Sequence, residues 1–196
     1  MGTGFSHDEA REAAIRWAAD LASDPRTVYL DTETTGFGRL AEIVDIAIVD
    51  VAGNTLLDRL VRPEDVIPPD ASAIHGIYWT DVAEEPGWPE IHDEVMELLS
   101  GRPVVIYNSP YDVGIMRHCC DRHDLGWRQE IAQWECAMRW FAQYQGIRDP
   151  RRGGWKWHKL DIAVQRFGAQ PGGHRALGDA LACRQVVLGM AGLALR

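Results

Sequence analysis

The chain has 196 residues, of which 46% are hydrophobic and 25% charged; this balance excludes intrinsic disorder and allows one buried core with at most a small appendage. A formal net charge of -9, from 20 Lys and Arg against 29 Asp and Glu, excludes a protein that grips polyphosphate through a broadly basic surface. Any contact with nucleic acid must therefore be local.

The first predicted element is a helix at about 7–22. Ser6 and Glu9 have the spacing of a capping box, in which each side chain accepts a hydrogen bond from the other residue's backbone. Apolar residues then recur at helical spacing, at Ala10, Ala14, Trp17, Ala18 and Leu21. Pro25 separates this helix from the rest, so we predict an N-terminal helical extension at 1–24 and one domain at 25–196.

Three strands are predicted next. A short apolar run at 27–31 is followed by 43–49, which is nearly continuous in Ile, Val and Ala, as expected of a strand buried on both faces. A turn at 52–54 returns the chain into a third strand at 55–61. An antiparallel arrangement of neighbouring strands is the natural result.

The second half of the chain alternates helices and strands. A fourth strand at 103–108 leads into a helix that ends near 123, with Ser109 as its cap and Pro110 at its first position. A short fifth strand is expected near 130–134, and further helices are predicted at 89–100, 135–145, 159–167 and 176–194. This order indicates the α/β class, with one mixed five-stranded sheet flanked by helices.

The cysteines and the apolar segments indicate the compartment. Cys119, Cys120, Cys136 and Cys183 lack the paired spacing and the density of a disulfide scaffold, which is typical of a reducing environment. No apolar stretch is long enough to span a membrane, and the N-terminus lacks a basic and then apolar leader. We therefore predict a cytoplasmic protein without a membrane partner.

Two acids near the end of the first strand are candidate metal ligands. Asp31 and Glu33 are two residues apart, so strand alternation puts both on one face while Thr32 points away. Such a pair repels itself unless a cation lies between, and Mg²⁺ or Mn²⁺ selects oxygen ligands of this kind. An isolated pair is more often simply solvated, but the Thr-Thr-Gly segment at 34–36 weighs against that reading.

Three further residues could complete a site. Asp112 falls in the first turn of the helix after the fourth strand, where helix capping alone would explain it, although ligands bind at that end of open α/β sheets. His174 and Asp179 would diverge by about 140° on one helix. They can face one site only if His174 precedes the helix, which the glycines at 172–173 allow; a lone histidine there is otherwise a surface residue.

Three segments together resemble the exonuclease motifs of the DEDDh family. They are Val28-Tyr29-Leu30-Asp31-Thr32-Glu33-Thr34-Thr35-Gly36, Tyr107-Asn108-Ser109-Pro110-Tyr111-Asp112 and His174-Arg175-Ala176-Leu177-Gly178-Asp179-Ala180. The second resembles the family's Asn-x-x-(Phe or Tyr)-Asp pattern and the third its His-x-Ala-x-x-Asp pattern. The segment 74–77, Ile-His-Gly-Ile, resembles one common in DnaQ-like proofreading members such as the epsilon subunit of bacterial DNA polymerase III. The resemblance runs from about 27 to 190 in the family's order.

The resemblance implies a ribonuclease H-like fold and a 3'-5' exonuclease that releases nucleoside 5'-monophosphates. It implies two Mg²⁺ ions, with Mn²⁺ as a plausible substitute, held by Asp31, Glu33, Asp112 and Asp179, and His174 as the general base. Asp31 would be shared by both ions, with Glu33 and Asp179 on the side of the attacking water and Asp112 on the side of the leaving oxygen. These five residues are the predicted catalytic residues.

The substrate and the partners stay open at this level. Single-stranded DNA is the favoured substrate, and an oligoribonuclease-like enzyme that trims RNA is the alternative. A noncatalytic nucleic-acid-binding or polymerase-associated module is the alternative from another class, although all five catalytic positions are filled. A DNA polymerase or a repair protein is a candidate partner, and the sequence does not reveal the oligomeric state.

Two groups of residues are candidates for substrate binding. The stretch 148–159 interleaves five basic residues with two tryptophans, so Arg152, Trp155 and Trp157 could meet a single strand through charge and stacking. A solvated loop whose tryptophans anchor it to the core explains the same pattern equally well. Thr34, Phe37, His75 and Asn108 adjoin the matched motifs and are candidates for holding the terminal nucleotide.

Overall fold

A mixed five-stranded sheet forms the centre of the computed structural model, which describes residues 6–38, 40–127, 132–151 and 153–193. The strands are β1 (Val28–Thr34), β2 (Ile43–Asp50), β3 (Thr55–Leu60), β4 (Pro103–Ile106) and β5 (Gln133–Cys136). Their order is β3-β2-β1-β4-β5, with β1 to β3 antiparallel and β4 and β5 parallel to β1. The predicted fold class is therefore confirmed.

Helices cover both faces of this sheet. They are α1 (His7–Ser23), α2 (Pro69–His75), α3 (Trp79–Val82), α4 (Trp88–Leu99), α5 (Ser109–Arg122), α6 (Ala137–Gln145), α7 (Leu160–Gln165) and α8 (Ala176–Met190). Val28 and Leu30 of β1 pack with α4 and α5, whereas Tyr29 packs on the other face with α1, α6, α7 and α8. Alternation along β1 therefore decides which helix layer each later side chain meets.

Helix α1 is joined to this core through small residues. Its capping box is present: Ser6 Oγ accepts from the Glu9 backbone N–H at 3.3 Å, and Glu9 Oε2 accepts from the Ser6 N–H at 2.8 Å. Ala10, Ala14 and Ala18 are buried where α1 packs against α6 and α8. The helix thus buries its apolar stripe against the same layer that covers one face of the sheet.

Several predicted boundaries are wrong by a few residues. Asn108, not Ser109, is the N-cap of α5, and Ser109 is its first helical residue. Residues 133–136 form β5, which pairs in parallel with β4, so α6 begins at Ala137 and not at 135; residues 130 and 131 of the predicted strand lie outside the described ranges. Pairing with a distant strand overrides the local helical pattern here.

The structure shows the state of the cysteines and whether any described helix could span a membrane. All four cysteines are free and buried. Over the ranges given above, no helix combines the length and the apolar character that a membrane crossing requires.

Candidate active site

The second half of β1 carries two acids onto the face covered by α8. Strand β1 continues to Thr34, three residues beyond the predicted end, and Asp31 and Glu33 follow Tyr29 on its side of the sheet. In the β1–β2 register, Asp31 faces Ala47 and Glu33 faces Asp45. The pairing of β1 with β4 covers only Val28 and Tyr29, so the backbone of both acids is held by the ladder with β2.

The start of α8 brings a histidine and a third acid to these residues. The helix begins at Ala176, so His174 precedes it and Asp179 lies in its first turn, as the spacing required. His174 has a φ of 55°, in the left-handed region, which costs a residue with a side chain about 1–2 kcal/mol. Leaving the helical path in this way turns the imidazole toward Asp179.

Close backbone packing fixes the approach of this segment to α8. A methyl group added at Gly172 would collide with the Asp179 carboxylate and with the Gly178 backbone, and one added at Gly178 would collide with the Gly172 carbonyl. The two glycines thus allow the loop to lie directly against the first turn of α8. The sequence predicts that the glycines at 172–173 let His174 precede the helix, and the structure shows in addition that position 172 has no room for a side chain.

Glu33, His174 and Asp179 together form a group that could hold a metal ion. Each offers one ligand atom, and these atoms all lie within 4.8 Å of one another. Glu33 and Asp179 are partly buried, whereas His174 is exposed. Asp31 and Asp112 are not members of this group, but Asp112 is close enough to raise the pKa of both Asp31 and Glu33, and Glu33 and Asp179 are close enough to raise the pKa of Asp31.

Asp112 reaches the site from α5 on the opposite face of the sheet. It is buried in the first turn of α5, and its Oδ1 accepts a 2.7 Å hydrogen bond from the Thr32 hydroxyl. Thr32 points away from Asp31 and Glu33, as alternation predicts, and this places it where α5 packs. The sequence analysis missed Thr32 because only the docking of α5 shows what the hydroxyl meets.

Tyr111 fastens the segment after β1 to α5. Its phenol group lies 2.7 Å from the Thr34 hydroxyl and donates a 2.7 Å hydrogen bond to the Gly36 carbonyl. Phe37, the next residue, is 89% exposed. The predicted substrate residue Thr34 is therefore engaged within the protein, while Phe37 exposes most of its ring, whose centre lies 6.4 Å from that of Tyr111.

Burial and mutual repulsion shift the acids toward their protonated forms. Burial first, and then the Asp112 carboxylate, raise the pKa of Asp31 well above its usual range. Burial and the nearby Asp179 raise the pKa of Glu33 to about 8. Burial raises the pKa of Asp112 to about 6 against the opposing Thr32 hydrogen bond, and raises the pKa of Asp179 to about 6 against the effect of His174.

These residues fit a hard divalent cation. Carboxylate oxygens, with one imidazole nitrogen beside them, are donors that Mg²⁺ and Mn²⁺ accept. Clustered carboxylates that cannot all ionise together are stabilised when a cation enters between them. Asp31, Glu33, Asp112 and Asp179 are the residues that would hold it.

Two other predicted substrate residues, His75 and Asn108, differ in their exposure to solvent. His75 is only 5% exposed; its Nδ1 accepts a hydrogen bond from the Ile77 backbone N–H at 3.0 Å. Burial lowers the pKa of His75, and Asp45, Arg175 and His174 are close enough to affect it. Asn108 is exposed at the start of α5, and its side chain forms no capping hydrogen bond.

The basic stretch forms a hairpin between α6 and α7. Arg148 and Trp155 pair as an antiparallel bridge, and the Arg148 guanidinium lies 3.8 Å from the centre of the Trp155 ring. Trp155 is half-buried, whereas Trp157 is 50% exposed. An open cavity of about 570 Å³ is lined by Ile147, Arg148, Asp149, Pro150, Arg151, Lys156 and Trp157. Arg152, the third predicted residue of this stretch, lies outside the described residues.

The hairpin is connected to the end of β4. Tyr107, which directly precedes Asn108, donates a 2.9 Å hydrogen bond to the His158 carbonyl. Asp161 in α7 is close enough to Asp179 to raise the pKa of that carboxyl. The basic cavity and the acidic group therefore belong to neighbouring segments of one region of the protein.

Comparisons with known proteins identify the family of the chain. A family model described as RNase_T, exonuclease, matches residues 28–187. Uncharacterized exonuclease CP81 of Escherichia phage 186 is 40% identical over 183 residues, which cover 90% of this chain and 89% of the phage protein. The epsilon subunit of DNA polymerase III from Escherichia coli is 31% identical over 101 residues, which cover 46% of this chain and 42% of the subunit.

A solved structure supports the fold. The nuclease domain of 3'hExo, a DEDDh family member bound to rAMP, superposes with a TM-score of 0.67 at 18% sequence identity. The match covers 87% of this chain and 94% of that domain.

Proposed function

Because this chain belongs to the RNase_T exonuclease family and is an exonuclease of the DEDDh type, we propose that it removes nucleotides from the 3' end of single-stranded DNA. The products are nucleoside 5'-monophosphates, and two Mg²⁺ ions are the cofactors. The observation that carries the proposal is the group formed by Glu33, His174 and Asp179, whose ligand atoms lie within 4.8 Å of one another. In this proposal His174 is the general base, and it lies next to two metal-binding carboxylates, those of Glu33 and Asp179.

The proposed reaction is the hydrolysis of the last phosphodiester bond. Divalent cations at such a site stabilise the charge that develops on the entering and departing oxygens. A water oxygen attacks the phosphorus, the bond from phosphorus to the 3' oxygen breaks, and the departing 3' oxygen takes a proton from solvent. His174, which is exposed beside the acids, takes the proton of the attacking water, since imidazole exchanges protons near neutral pH.

The carboxylates have distinct supporting contacts in this scheme. Asp31 and Glu33 hold their places through the paired backbone of β1. Thr32 orients Asp112 through the 2.7 Å hydrogen bond to one of its two carboxylate oxygens. Asp179 is fixed by the first turn of α8 against Gly172. Each of the four acids thus has a backbone or side-chain contact that orients it before any ligand enters.

DNA is preferred as the substrate because the epsilon relative is a subunit of a DNA polymerase. The exposed Phe37 and Trp157 offer apolar surfaces on which unpaired bases can stack, which favours a single strand but suits DNA and RNA alike. Arg151 and Lys156 add positive charge beside Trp157 in an otherwise acidic protein. RNA trimming is the second candidate, since the 3'hExo nuclease domain was solved with rAMP. A DNA polymerase is a proposed partner on the same homology.

The test offers four kinds of substrate to the purified protein: 3'-labelled and 5'-labelled single-stranded DNA, duplex DNA and RNA, each with Mg²⁺ and with a chelator. The proposal predicts that a 3' label is released at once as a mononucleotide, whereas a 5' label gives a descending ladder. Degradation should stop with the chelator. Faster turnover of RNA than of DNA would replace the proposed substrate by the alternative.

The variant Asp31→Ala separates the protein's own activity from contamination. We expect it to abolish metal-dependent degradation while the fold is kept, because it removes the carboxylate that the other acids surround. Asp58→Asn is the matched control, since it removes an exposed carboxylate of β3 outside the proposed ligand set. If Asp31→Ala degrades DNA as fast as the control, the acids are not the active site, and a noncatalytic binding module becomes the better reading.

A further inference from the structure

A buried acid outside the predicted ligand set anchors the start of α8. Asp45 in β2 is 1% exposed, and its Oδ2 accepts a 2.8 Å bond from the Arg175 Nε and a 3.3 Å bond from the Ala176 backbone N–H. Arg175 occupies the N-cap position of α8, but its own side chain does not cap the helix. The cap is therefore supplied by a strand that is 130 residues distant in sequence.

This anchor is the direct neighbour of the proposed base. His174 precedes Arg175 and has a left-handed φ of 55°, a conformation that persists only where the surroundings determine it. In the ranges given above, no hydrogen bond holds the His174 imidazole itself. Its position therefore depends on how firmly the backbone on either side is held.

Arg175 lies among acids that all attract it. Its guanidinium forms a hydrogen bond with Asp45, which raises the pKa of Arg175 most, and Asp58 and Glu33 are close enough to raise that pKa further. Asp45 is directly opposite Glu33 in the sheet. Removing the Arg175 donors would leave the buried Asp45 carboxylate without its ion-pair partner, so the two residues are expected to stay in contact.

We propose that Asp45 and Arg175 are positioning residues that hold the His174 segment beside Glu33 and Asp179. The Asp45 carboxylate fastens both the guanidinium and the first N–H of α8 to β2, which already carries the Glu33 backbone through its pairing with β1. The distance from the imidazole to the two carboxylates is thereby set by one strand pair. This inference rests on the proposed function, in which His174 is the general base.

The kinetic test uses Arg175→Met, because Arg175 is half-exposed and the substitution keeps the aliphatic stem while removing the hydrogen-bond donors. A base displaced by about 1 Å loses about 10²-fold in rate, so we expect kcat on single-stranded DNA to fall by about 10- to 100-fold. KM and the Mn²⁺ concentration for half-maximal activity should stay within about twofold of wild type. Asp58→Asn, which removes a charge near Arg175 without breaking a bond, is the matched control and should keep the wild-type kcat.

A double-mutant cycle shows whether the clamp acts through the base. In the His174→Ala background, Arg175→Met should cause no further loss of kcat, because the group that it positions is already absent. An equal loss in both backgrounds would overturn the proposal. So would a rise in KM or in the Mn²⁺ requirement that accounts for the whole effect.

Hydrogen exchange provides a measurement that does not need activity. The Ala176 N–H should exchange at least about tenfold faster in Arg175→Met than in wild type, while Asp58→Asn should match wild type. Equal protection in all three proteins would overturn the clamp whatever their activity. A wild-type protein without metal-dependent degradation would instead refute the proposed function, and the exchange result would still decide whether the clamp exists.

Discussion

Binding of a divalent cation should expel protons from the acidic site, and the structure gives the expected number. With a pKa of about 8, Glu33 carries about 0.9 of a proton at pH 7. Asp112 and Asp179, each with a pKa of about 6, carry about 0.1 each at that pH. Because metal ligands must be deprotonated, we expect Mn²⁺ to release at least about one proton, and more if Asp31 is also protonated.

The same pKa values predict how proton release and Mn²⁺ affinity change with pH. The fraction of a proton on Glu33 falls to about 0.1 at pH 9, so the release by this residue should nearly vanish there. Protons compete with the cation for the same oxygens, so the apparent affinity for Mn²⁺ should rise from pH 6 through pH 8 and level off only near pH 9, where Glu33 is almost fully ionised. A metal site built from carboxylates of ordinary pKa would show neither change over this range.

Titration calorimetry measures the release directly. The heat of Mn²⁺ binding is recorded at pH 7 in buffers of different ionisation enthalpy, and its slope against that enthalpy is the number of protons. Glu33→Gln should lower the number by about 0.9 at pH 7, while Asp58→Asn should leave it unchanged. A release below about 0.3 of a proton at pH 7, or an equal release at pH 7 and pH 9, would refute this account of the site.

Two further predictions concern the histidine and the glycine contact. His174→Ala should lower turnover by about 10² to 10⁴ through loss of the general base while Mn²⁺ binding is kept; a near-normal rate at neutral pH would exclude His174 from that role. Gly172→Ala should destabilise the protein by about 1–3 kcal/mol in urea unfolding, because the methyl group collides with Asp179 and Gly178. Gly114→Ala in α5 is its control, since nothing lies within 4 Å of the added methyl group, and equal stability of the two variants would contradict the proposed collision.

Local patterns were enough to predict most of the elements. The capping box at Ser6, the apolar run of β2 and the proline after β4 are short-range signals, and each marks an element that the structure contains. The boundary between β5 and α6 failed because a distant partner sets it. A fifth strand was expected near 130–134, but its extension to Cys136 depends on pairing with β4, which no pattern within four residues could indicate.

Residue spacing alone was enough to predict which acids share a face of the sheet and which residue precedes the helix. Alternation along β1 puts Asp31 and Glu33 together, and the spacing from His174 to Asp179 requires a break before α8. Both conclusions follow from the fixed periods of strand and helix. They needed no knowledge of what the side chains touch.

The contacts that hold those residues in place come from the packing of distant elements. The Thr32–Asp112 hydrogen bond depends on the docking of α5 across the end of β1, and the Asp45–Arg175 pair depends on the register of β2 and the angle at which α8 enters. These contacts join residues 80 and 130 positions apart. Periodicity indicates the face on which a side chain lies, but the partner on that face is chosen by long-range packing.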